Sequence, residues 1–325
     1  MSLAWIHLPE RGSARALAAI HWVGRVIGRP AGRFLLYPIA FYFLLTARQP
    51  RQASRRFLRR ALRREPRLID LFRHFHCFAA TILDRTFLLS GEFDKFDICI
   101  HNGQLIADQV RAGRGCILLG SHLGSFEALR VLAVTLHHFP LKVLMNVDHN
   151  PAITRFLNAL NPDIAATVIP IRGPSTLIAV KEWLDQGYLI GALGDRVVAE
   201  ERATYCRFFG EDAAFPLGPL QMAAMVQCPV ILAFAVYRGG NRYDMHFERL
   251  ADSIPAADRH RADALGRWGQ RYAVRLEFYA RSAPYNWFNF YDFWADNGGV
   301  DASPLPTPLS TRLSGKLSAN GGRHP

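Results

Sequence analysis

The sequence has few cysteines and lacks the motifs of several common enzyme classes. Five cysteines occur in 325 residues, an odd number without a CxxC spacing, and they lie within apolar runs. This predicts buried free thiols in a reducing compartment, and neither a disulfide framework nor a zinc site. There is also no Walker loop, no GxGxxG after a strand and no GxSxG nucleophile elbow. We therefore expect no metal, no cofactor and no serine nucleophile.

Acidic residues are almost absent from the first 67 positions. This segment contains fourteen arginines, no lysine and only Glu10 and Glu65, so its balance of +12 equals the net charge of the whole chain. The remaining residues carry no net charge. A nucleic-acid-binding protein would need basic residues across its folded body, so this distribution argues against nucleic acid as a partner.

The chain contains one notable uncharged apolar run, but it is short. Residues 34–47 contain Pro38 and number fourteen, whereas a transmembrane helix needs about 20 residues. Arginines flank the run on both sides, which favours a helix lying in the cytoplasmic leaflet of a membrane over a helix crossing it. The arginine-rich residues 48–67 would then lie on anionic headgroups. We predict that residues 1–67 form a basic, apolar membrane-anchoring arm; the alternative is a core helix with a solvated basic face.

From residue 68 onwards, helical patterns alternate with short apolar runs. Buried strands are predicted at residues 115–121, 141–147, 166–171, 188–193 and 229–238, with a further strand at 243–250 and a closing helix at 257–280. Strands that alternate with helices of ten or more residues indicate an α/β domain with a mostly parallel, mixed sheet flanked by helices. We assign this domain to residues 68–300. The Pro-, Ser- and Gly-rich residues 301–325 are predicted to be disordered.

A histidine follows the first predicted strand. His122 lies among small residues in GSHLGSFEALR, where Ser125 is a good N-cap for the next helix. Ligands of open α/β sheets bind at the carboxyl ends of the strands. A turn after His122 would let the Glu127 carboxylate orient the imidazole, whose other nitrogen would accept a proton from a substrate hydroxyl. The alternative is a histidine and an acid that cap a helix. Since no protein nucleophile competes, the pair fits direct transfer of an acyl group to that hydroxyl.

Several ordered segments resemble the lipid A biosynthesis (late) acyltransferases of the lysophospholipid acyltransferase superfamily. The matching elements are H-x4-E at His122 and Glu127, VIPIRG at Arg172, LGDR at Asp195, and YCRFFGEDAAFPLGPLQMAA at Phe209, Gly210, Gly218 and Pro219. The agreement covers roughly residues 15–294. It implies a fold like that of glycerol-3-phosphate acyltransferase, with a membrane-associated N-terminal helical arm. It also implies transfer of an acyl chain from an acyl carrier protein thioester, or from acyl-CoA, to a lipid hydroxyl at the cytoplasmic face of the inner membrane.

Two stretches depart from that family. MNVDHNP, which contains Asn146 and His149, stands where the family usually has an arginine and an asparagine before the proline. PYNWFNFYDFW replaces a basic stretch near the C-terminus and resembles the acyltransferases encoded with aryl polyene pigment clusters. Its aromatic rings would suit an apolar or aromatic acceptor and a polyene chain better than a bisphosphorylated disaccharide. A core or membrane-interface cluster explains the same rings equally well.

The resemblance implies substrate-binding roles for eight positions, which are Asn146, His149, Arg172, Asp195, Arg196, Phe209, Gly210 and Gly218. Arg172 would hold a phosphate or polarise the thioester carbonyl, unless it forms a structural ion pair with Asp195. Arg196 is a candidate for contacts with phosphopantetheine or its carrier. His149 is either a polar contact in the acceptor pocket or a surface histidine, and Asn146 belongs to the same loop.

Two alternative functions are consistent with some of the same sequence features. A lysophospholipid acyltransferase that uses acyl-CoA would keep His122 and Glu127 and change both substrates. A non-enzymatic membrane adaptor would keep the arm and carry a degenerate α/β domain. Gly218 with Pro219 favours the start of a helix over a chemical role in any of these functions.

Overall fold

The computed structural model describes residues 14–145, 155, 159–197 and 201–294. The helices are α1 (Ala14–Val26), α2 (Arg29–Thr46), α3 (Arg48–Leu62), α4 (Leu68–Leu89), α5 (Gln104–Arg111), α6 (Phe126–Val131), α7 (Pro162–Ala165), α8 (Pro174–Asp185), α9 (Gly218–Val226) and α10 (Ala262–Ser282). The strands are β1 (Asp97–His101), β2 (Cys116–Gly120), β3 (Leu141–Met145), β4 (Val168–Pro170), β5 (Leu189–Leu193), β6 (Ala203–Phe208), β7 (Glu211–Pro216), β8 (Val230–Gly239) and β9 (Arg242–Ala251). A π-helical segment, Leu132–Leu136, continues α6. Asn146, His149 and the predicted tail lie outside the described residues.

Seven strands form one mixed sheet in the order β1-β9-β8-β2-β5-β3-β4. Neighbouring strands are parallel except for β8 and β9, which are antiparallel. The central strand β2 is buried along its whole length, which explains why its sequence CILLG is apolar without alternation. The predicted α/β class, with a mostly parallel sheet flanked by helices, is confirmed.

Strand β1 and the hairpin formed by β6 and β7 were not anticipated. β1 is an edge strand with four of its five residues exposed, so it lacks the apolar run that marks a buried strand. For the same reason the prediction that every cysteine is buried is wrong for Cys99. The hairpin turns at Phe209 and Gly210, which both have positive φ as in a type I′ turn. Phe-Gly lacks the Asn-Gly signature that would have predicted this turn.

The N-terminal helices pack against the α/β body. Phe57 and Leu58 of α3 are completely buried, and the Phe57 ring lies 5.0 Å from the ring of Trp287. Helix α2 buries Leu36 and Leu44 on the side that contacts α4. The segment predicted as an anchoring arm therefore also supplies part of the hydrophobic core.

Several arginines of this segment form intramolecular ion pairs. Arg29 donates to both carboxylate oxygens of Asp84, at 2.9 and 2.8 Å. Arg60 donates to both carboxylate oxygens of Glu211, at 2.9 and 2.6 Å. Asp84 is completely buried, and removing one partner of such a pair costs about 3–5 kcal/mol. Part of the local excess of positive charge thus balances acids elsewhere in the fold.

Helix α2 exposes large apolar side chains opposite its buried side. We define its apolar face as Phe34, Phe41, Tyr42 and Leu45, each more than half exposed. Within the described ranges, no single helix has the length and apolar character needed to cross a membrane. Helices α2 and α3 taken together pass that test, but they meet at a bend of 96°.

Candidate active site

The parallel strands bring three of the predicted site residues to one edge of the sheet. His122, Asp195 and Arg172 each follow their strand by two residues, after β2, β5 and β4 respectively. Strands β2 and β5 are neighbours whose register pairs Gly120 with Leu193. His122 and Asp195 therefore leave the sheet side by side at its carboxyl edge, where open α/β sheets bind ligands.

Asp195 fixes both the ring and the backbone of His122. The His122 Nδ1 atom lies 2.8 Å from Asp195 Oδ1, and the His122 backbone N–H donates to Oδ2 at 3.0 Å. Oδ2 also accepts a hydrogen bond of 3.0 Å from the Trp287 indole N–H. The Asp195 side chain is 1% exposed, whereas the His122 side chain is 32% exposed. The buried Asp195 carboxylate, with both oxygens hydrogen-bonded, thus orients a histidine side chain that is partly exposed to solvent.

The electrostatics keep this pair in the charge state that a general base requires. Burial opposes ionisation of Asp195, but His122, Arg196 and the Trp287 indole together lower the pKa of the carboxyl group to about 2. Burial, and next the charge of Arg196, lower the pKa of His122 below 6.5, which Asp195 opposes only in part. At neutral pH the imidazole is therefore uncharged. Its Nδ1 proton points to Asp195, which leaves a lone pair on Nε2.

Glu127 does not occupy the orienting position that the sequence assigned to it. Ser125 caps α6 as expected, with its Oγ accepting from the Ala128 N–H at 3.2 Å. The Glu127 carboxylate lies 3.0 Å from Arg85 of α4 and 3.2 Å from Arg130, one turn along α6. The helix begins immediately after Ser125, so it directs this side chain towards α4, and the ring of His122 is held by Asp195.

The loop that carries His122 is closed by the C-terminal stretch. Gly124 has a φ of +66°, and a Cβ at this position would overlap the Ala235 carbonyl oxygen, so only glycine fits. The Gly124 N–H donates to the Asn286 carbonyl at 2.8 Å, and the Phe288 N–H donates to the His122 carbonyl at 2.9 Å. Both sides of the His122 loop are therefore anchored by backbone hydrogen bonds.

The aromatic C-terminal stretch lies mainly in the core. Trp287 is 1% exposed, and its ring lies 5.2 Å from that of Phe208 and 4.9 Å from that of Phe293. Phe288, Phe293 and Trp294 are also buried. The structure therefore favours the core interpretation of these rings over an open acceptor pocket. The contact between Trp287 and Asp195 joins distant parts of the chain, and no local pattern could have indicated it.

The two arginines assigned to substrate differ in their surroundings. Arg172 is exposed, and its backbone N–H donates to Thr176 Oγ1 at 2.8 Å where α8 begins. The carboxylate of Asp195 binds His122 and Trp287, so the alternative of an ion pair with Arg172 is not what the structure has. Arg196 donates to the Phe288 carbonyl at 2.9 Å.

The remaining candidates lie in a hairpin turn and at the start of a helix. Phe209 and Gly210 form the β6–β7 turn, and Phe209 is buried. Gly218 begins α9 with Pro219 in its first turn, as the sequence indicated.

A comparison with models of known protein families matches the part of the chain that contains the sheet and the His122 site. Residues 90–294 match the family model of the bacterial lipid A biosynthesis acyltransferases. The chain belongs to this family. The match includes the sheet, the His122 loop and the C-terminal stretch up to Trp294. Comparison with individual curated proteins gives no significant match. As a member of the lipid A biosynthesis acyltransferase family, the protein is an enzyme that transfers an acyl group to a lipid.

Replacement of Trp287 by Phe should destabilise this acyltransferase. The change keeps an aromatic ring in the core but removes the N–H that donates to Asp195. Asp195 Oδ2 keeps the His122 backbone N–H but loses this second donor. A hydrogen bond to a charged group contributes about 1.5–3 kcal/mol, so we expect a loss of up to that size in the free energy of unfolding, measured by urea denaturation. Trp183→Phe is the control, because Trp183 lies on α8 and its ring packs against Tyr188. An equal loss in the two variants would contradict the role of the hydrogen bond.

Proposed function

We propose that this acyltransferase moves a fatty or polyene acyl chain from an acyl carrier protein thioester, or from acyl-CoA, to a lipid hydroxyl, with His122 as general base. The observation that carries the proposal is the accessible, uncharged imidazole held by the buried Asp195 carboxylate at the carboxyl edge of the sheet. Such a pair is the base and orienting group of a direct transfer.

The proposed reaction uses the two ring nitrogens of His122 differently. Nε2 takes the proton of the acceptor hydroxyl while that oxygen attacks the thioester carbonyl. The imidazolium formed is stabilised by the Asp195 carboxylate 2.8 Å from Nδ1. Collapse of the tetrahedral intermediate breaks the carbon–sulfur bond, and the imidazolium returns its proton to the departing thiolate. The products are the lipid ester and the free thiol.

Three cationic or anionic side chains receive supporting roles in this proposal. Arg196 lowers the pKa of His122 and is the cation that most affects the imidazole, so we assign it to the donor side of the site. Arg172 is exposed at the same edge of the sheet, where its guanidinium can bind a phosphate of donor or acceptor. Glu127 fixes the relative positions of α4 and α6 through Arg85 and Arg130.

We also propose that the enzyme works at the cytoplasmic face of the inner membrane, with its apolar α2 face in the lipid. Monomeric soluble proteins rarely expose a contiguous apolar patch of this kind, and such patches mark interaction sites. Exposed arginines of α3, among them Arg48, Arg55 and Arg59, lie beyond the bend and would meet anionic headgroups. A lipid acceptor would then reach the site without leaving the membrane.

The acid limb of the activity should lie at a lower pH than the ordinary pKa of histidine. Because the pKa of His122 is lowered, the neutral base dominates above a folded-state pKa that is less than 6.5, and protonation below it removes the base. We expect the acid limb of kcat/KM to lie below pH 6.5. Initial rates at subsaturating donor and acceptor concentrations from pH 5 to 8 measure it. An acid limb above pH 7 would contradict the assignment of His122 as the titrating base.

Charges placed on the α2 apolar face should release the enzyme from membranes. Burying one phenylalanine contributes about 1.5–3 kcal/mol, so the Phe34→Glu, Phe41→Glu double variant should bind vesicles at least about tenfold more weakly. The measurement is flotation with phosphatidylglycerol-containing vesicles at low and high salt. Phe278→Glu is the matched control, because Phe278 and Phe41 are each 54% exposed and Phe278 lies on α10. Equal binding by both variants would contradict the proposed orientation.

Two experiments test the proposed substrates: lipid analysis of a deletion strain and activity assays of the purified enzyme. A deletion strain should lose one acylated lipid species, which mass spectrometry identifies, and the wild-type gene should restore it while a His122→Ala gene does not. Purified enzyme with acceptor membranes is then compared with acyl carrier protein and CoA thioesters of the same chain. Preference for acyl-CoA with a lysophospholipid acceptor would favour the lysophospholipid acyltransferase. No turnover with either donor would favour a non-enzymatic adaptor.

A further inference from the structure

Four side chains with metal-binding atoms lie on one face of the sheet, away from the His122 site. Cys99 and His101 belong to β1, and Asp244 and His246 belong to β9. The two strands are parallel, with Cys99 opposite Asp244 and His101 opposite His246. Register partners of a parallel pair point to the same face, and residues two apart along a strand do so as well. The sheet order separates this group from β2 by β8, so it is not part of the acyl transfer site.

The donor atoms of three of these residues are close enough to share one ion. The Cys99 sulfur, a His101 ring nitrogen and an Asp244 carboxylate oxygen all lie within 4.8 Å of one another. The rings of His101 and His246 are stacked with centroids 4.4 Å apart. The His246 Nε2 atom is buried and has no hydrogen-bond partner among the described residues. Because the two stacked rings lie in parallel planes, their nitrogen lone pairs do not converge on one ion, so the unsatisfied His246 nitrogen is a polar neighbour of the cluster and not one of its ligands.

We propose that Cys99, His101 and Asp244 form a zinc site with three protein ligands, whose fourth position is open to water and lies beside His246. Thiolate, imidazole and carboxylate together are the donor set of tetrahedral zinc. The thiolate and carboxylate balance the two positive charges of the ion. Arg238 donates to Asp244 Oδ2 at 2.7 Å, which leaves the other carboxylate oxygen for the metal. This site was not indicated by spacing because its two halves come from strands at opposite ends of the domain sequence.

A zinc ion at this site would stabilise the packing of edge strand β1 against β9. β1 pairs only with β9 among the described strands, and most of its residues are exposed, so few apolar contacts hold it. A bound zinc ion joins the side chains of both strands and stabilises the folded state that contains the site. The expected consequence is a higher melting temperature without a change in acyl transfer, since the metal and His122 are separate.

Zinc binding to the untagged, full-length protein tests the proposal. Titration against a chromophoric zinc chelator should give one ion per chain, and Zn²⁺ should raise the melting temperature. Cys99→Ser and Asp244→Asn should each bind at least about tenfold more weakly, since each removes one ligand. The control is His260→Ala, which removes an exposed histidine elsewhere on the surface. Metal-free melting temperatures equal to that of the wild type show that the variants fold.

Thiol chemistry provides an independent measurement at the same site. Cys99 is exposed and the other four cysteines are buried, so iodoacetamide should label Cys99 selectively in the folded protein. Zn²⁺ should slow this labelling, and Co²⁺ should give a thiolate charge-transfer band that Cys99→Ser lacks. Wild-type zinc affinity in Cys99→Ser, or labelling of Cys99 at an unchanged rate in saturating Zn²⁺, would overturn the proposal. Neither outcome depends on acyl transfer.

Discussion

His122→Ala should abolish acyl transfer while the protein still folds and binds membranes. The imidazole is the only group in the described site that combines an accessible lone pair with a buried carboxylate behind it. General-base catalysis contributes about 10²–10⁴-fold, and the returning proton for the thiolate is lost with the same side chain. We expect the initial rate with acyl carrier protein thioester and membranes to fall by about a thousandfold or more.

The fold should tolerate this change because of how the loop is anchored. The backbone of His122 keeps its hydrogen bonds to Asp195 and Phe288, and Gly124 keeps its bond to Asn286. The circular dichroism spectrum and vesicle flotation of His122→Ala should match the wild type. His137→Ala removes an exposed histidine of the π-helical turn region and should leave the rate unchanged. An active His122→Ala enzyme would refute the proposed mechanism.

The sequence indicated those parts of the fold whose signal is local. The buried strands β2 and β5 follow from uninterrupted apolar runs, and the helices between the strands from their length and caps. The edge strand β1 has no such run, and the Phe209-Gly210 turn lacks the usual turn residues, so neither was predicted. Helix α3 shows a further limit, because its many arginines conceal Phe57 and Leu58, which lie fully in the core.

Only those parts of the candidate site that have a local signal in the sequence were predicted. His122 follows a recognisable strand, and Asp195 was found through its resemblance to a family motif. The pairing between them depends on β2 and β5 being neighbours, which the chain order does not reveal. The predicted pairing of His122 with Glu127 assumed a turn that brings them together, whereas α6 starts at once and Arg85 and Arg130 bind the carboxylate.

The ion pairs change what the excess of positive charge in residues 1–67 implies. Arg29, Arg60 and Arg64 bind Asp84, Glu211 and Asp70, so these cations are occupied within the protein. The N-terminal segment is then a partner for acids of the α/β body, in addition to the basic membrane-facing surface that we propose. High salt should weaken the interaction with headgroups and the half-exposed pairs of Arg60 and Arg64, whereas the buried Arg29–Asp84 pair is screened little.

Asp195→Asn should lower activity more than Glu127→Gln. The carboxylate at position 195 selects the Nδ1–H tautomer and stabilises the imidazolium, and an amide does neither. The corresponding change in a serine protease triad lowers kcat by about 10⁴-fold, so we expect a decrease of about 10²–10⁴-fold in kcat here. Glu127→Gln disturbs two arginine contacts and should cost about tenfold, mainly through the positions of α4 and α6.

The pH dependence of activity distinguishes a residue that orients His122 from a residue whose loss only disturbs the structure. Asp195 is the carboxylate that raises the pKa of His122, so Asp195→Asn should move the acid limb to lower pH, since the opposing effects of burial and Arg196 remain. Glu127→Gln should leave the limb in place. Glu248→Gln is a suitable control, because Glu248 also pairs with an arginine, Arg275, but lies on β9. If Glu127→Gln abolished turnover and shifted the limb while Asp195→Asn remained active, Glu127 would be the orienting group, as the H-x4-E spacing first suggested.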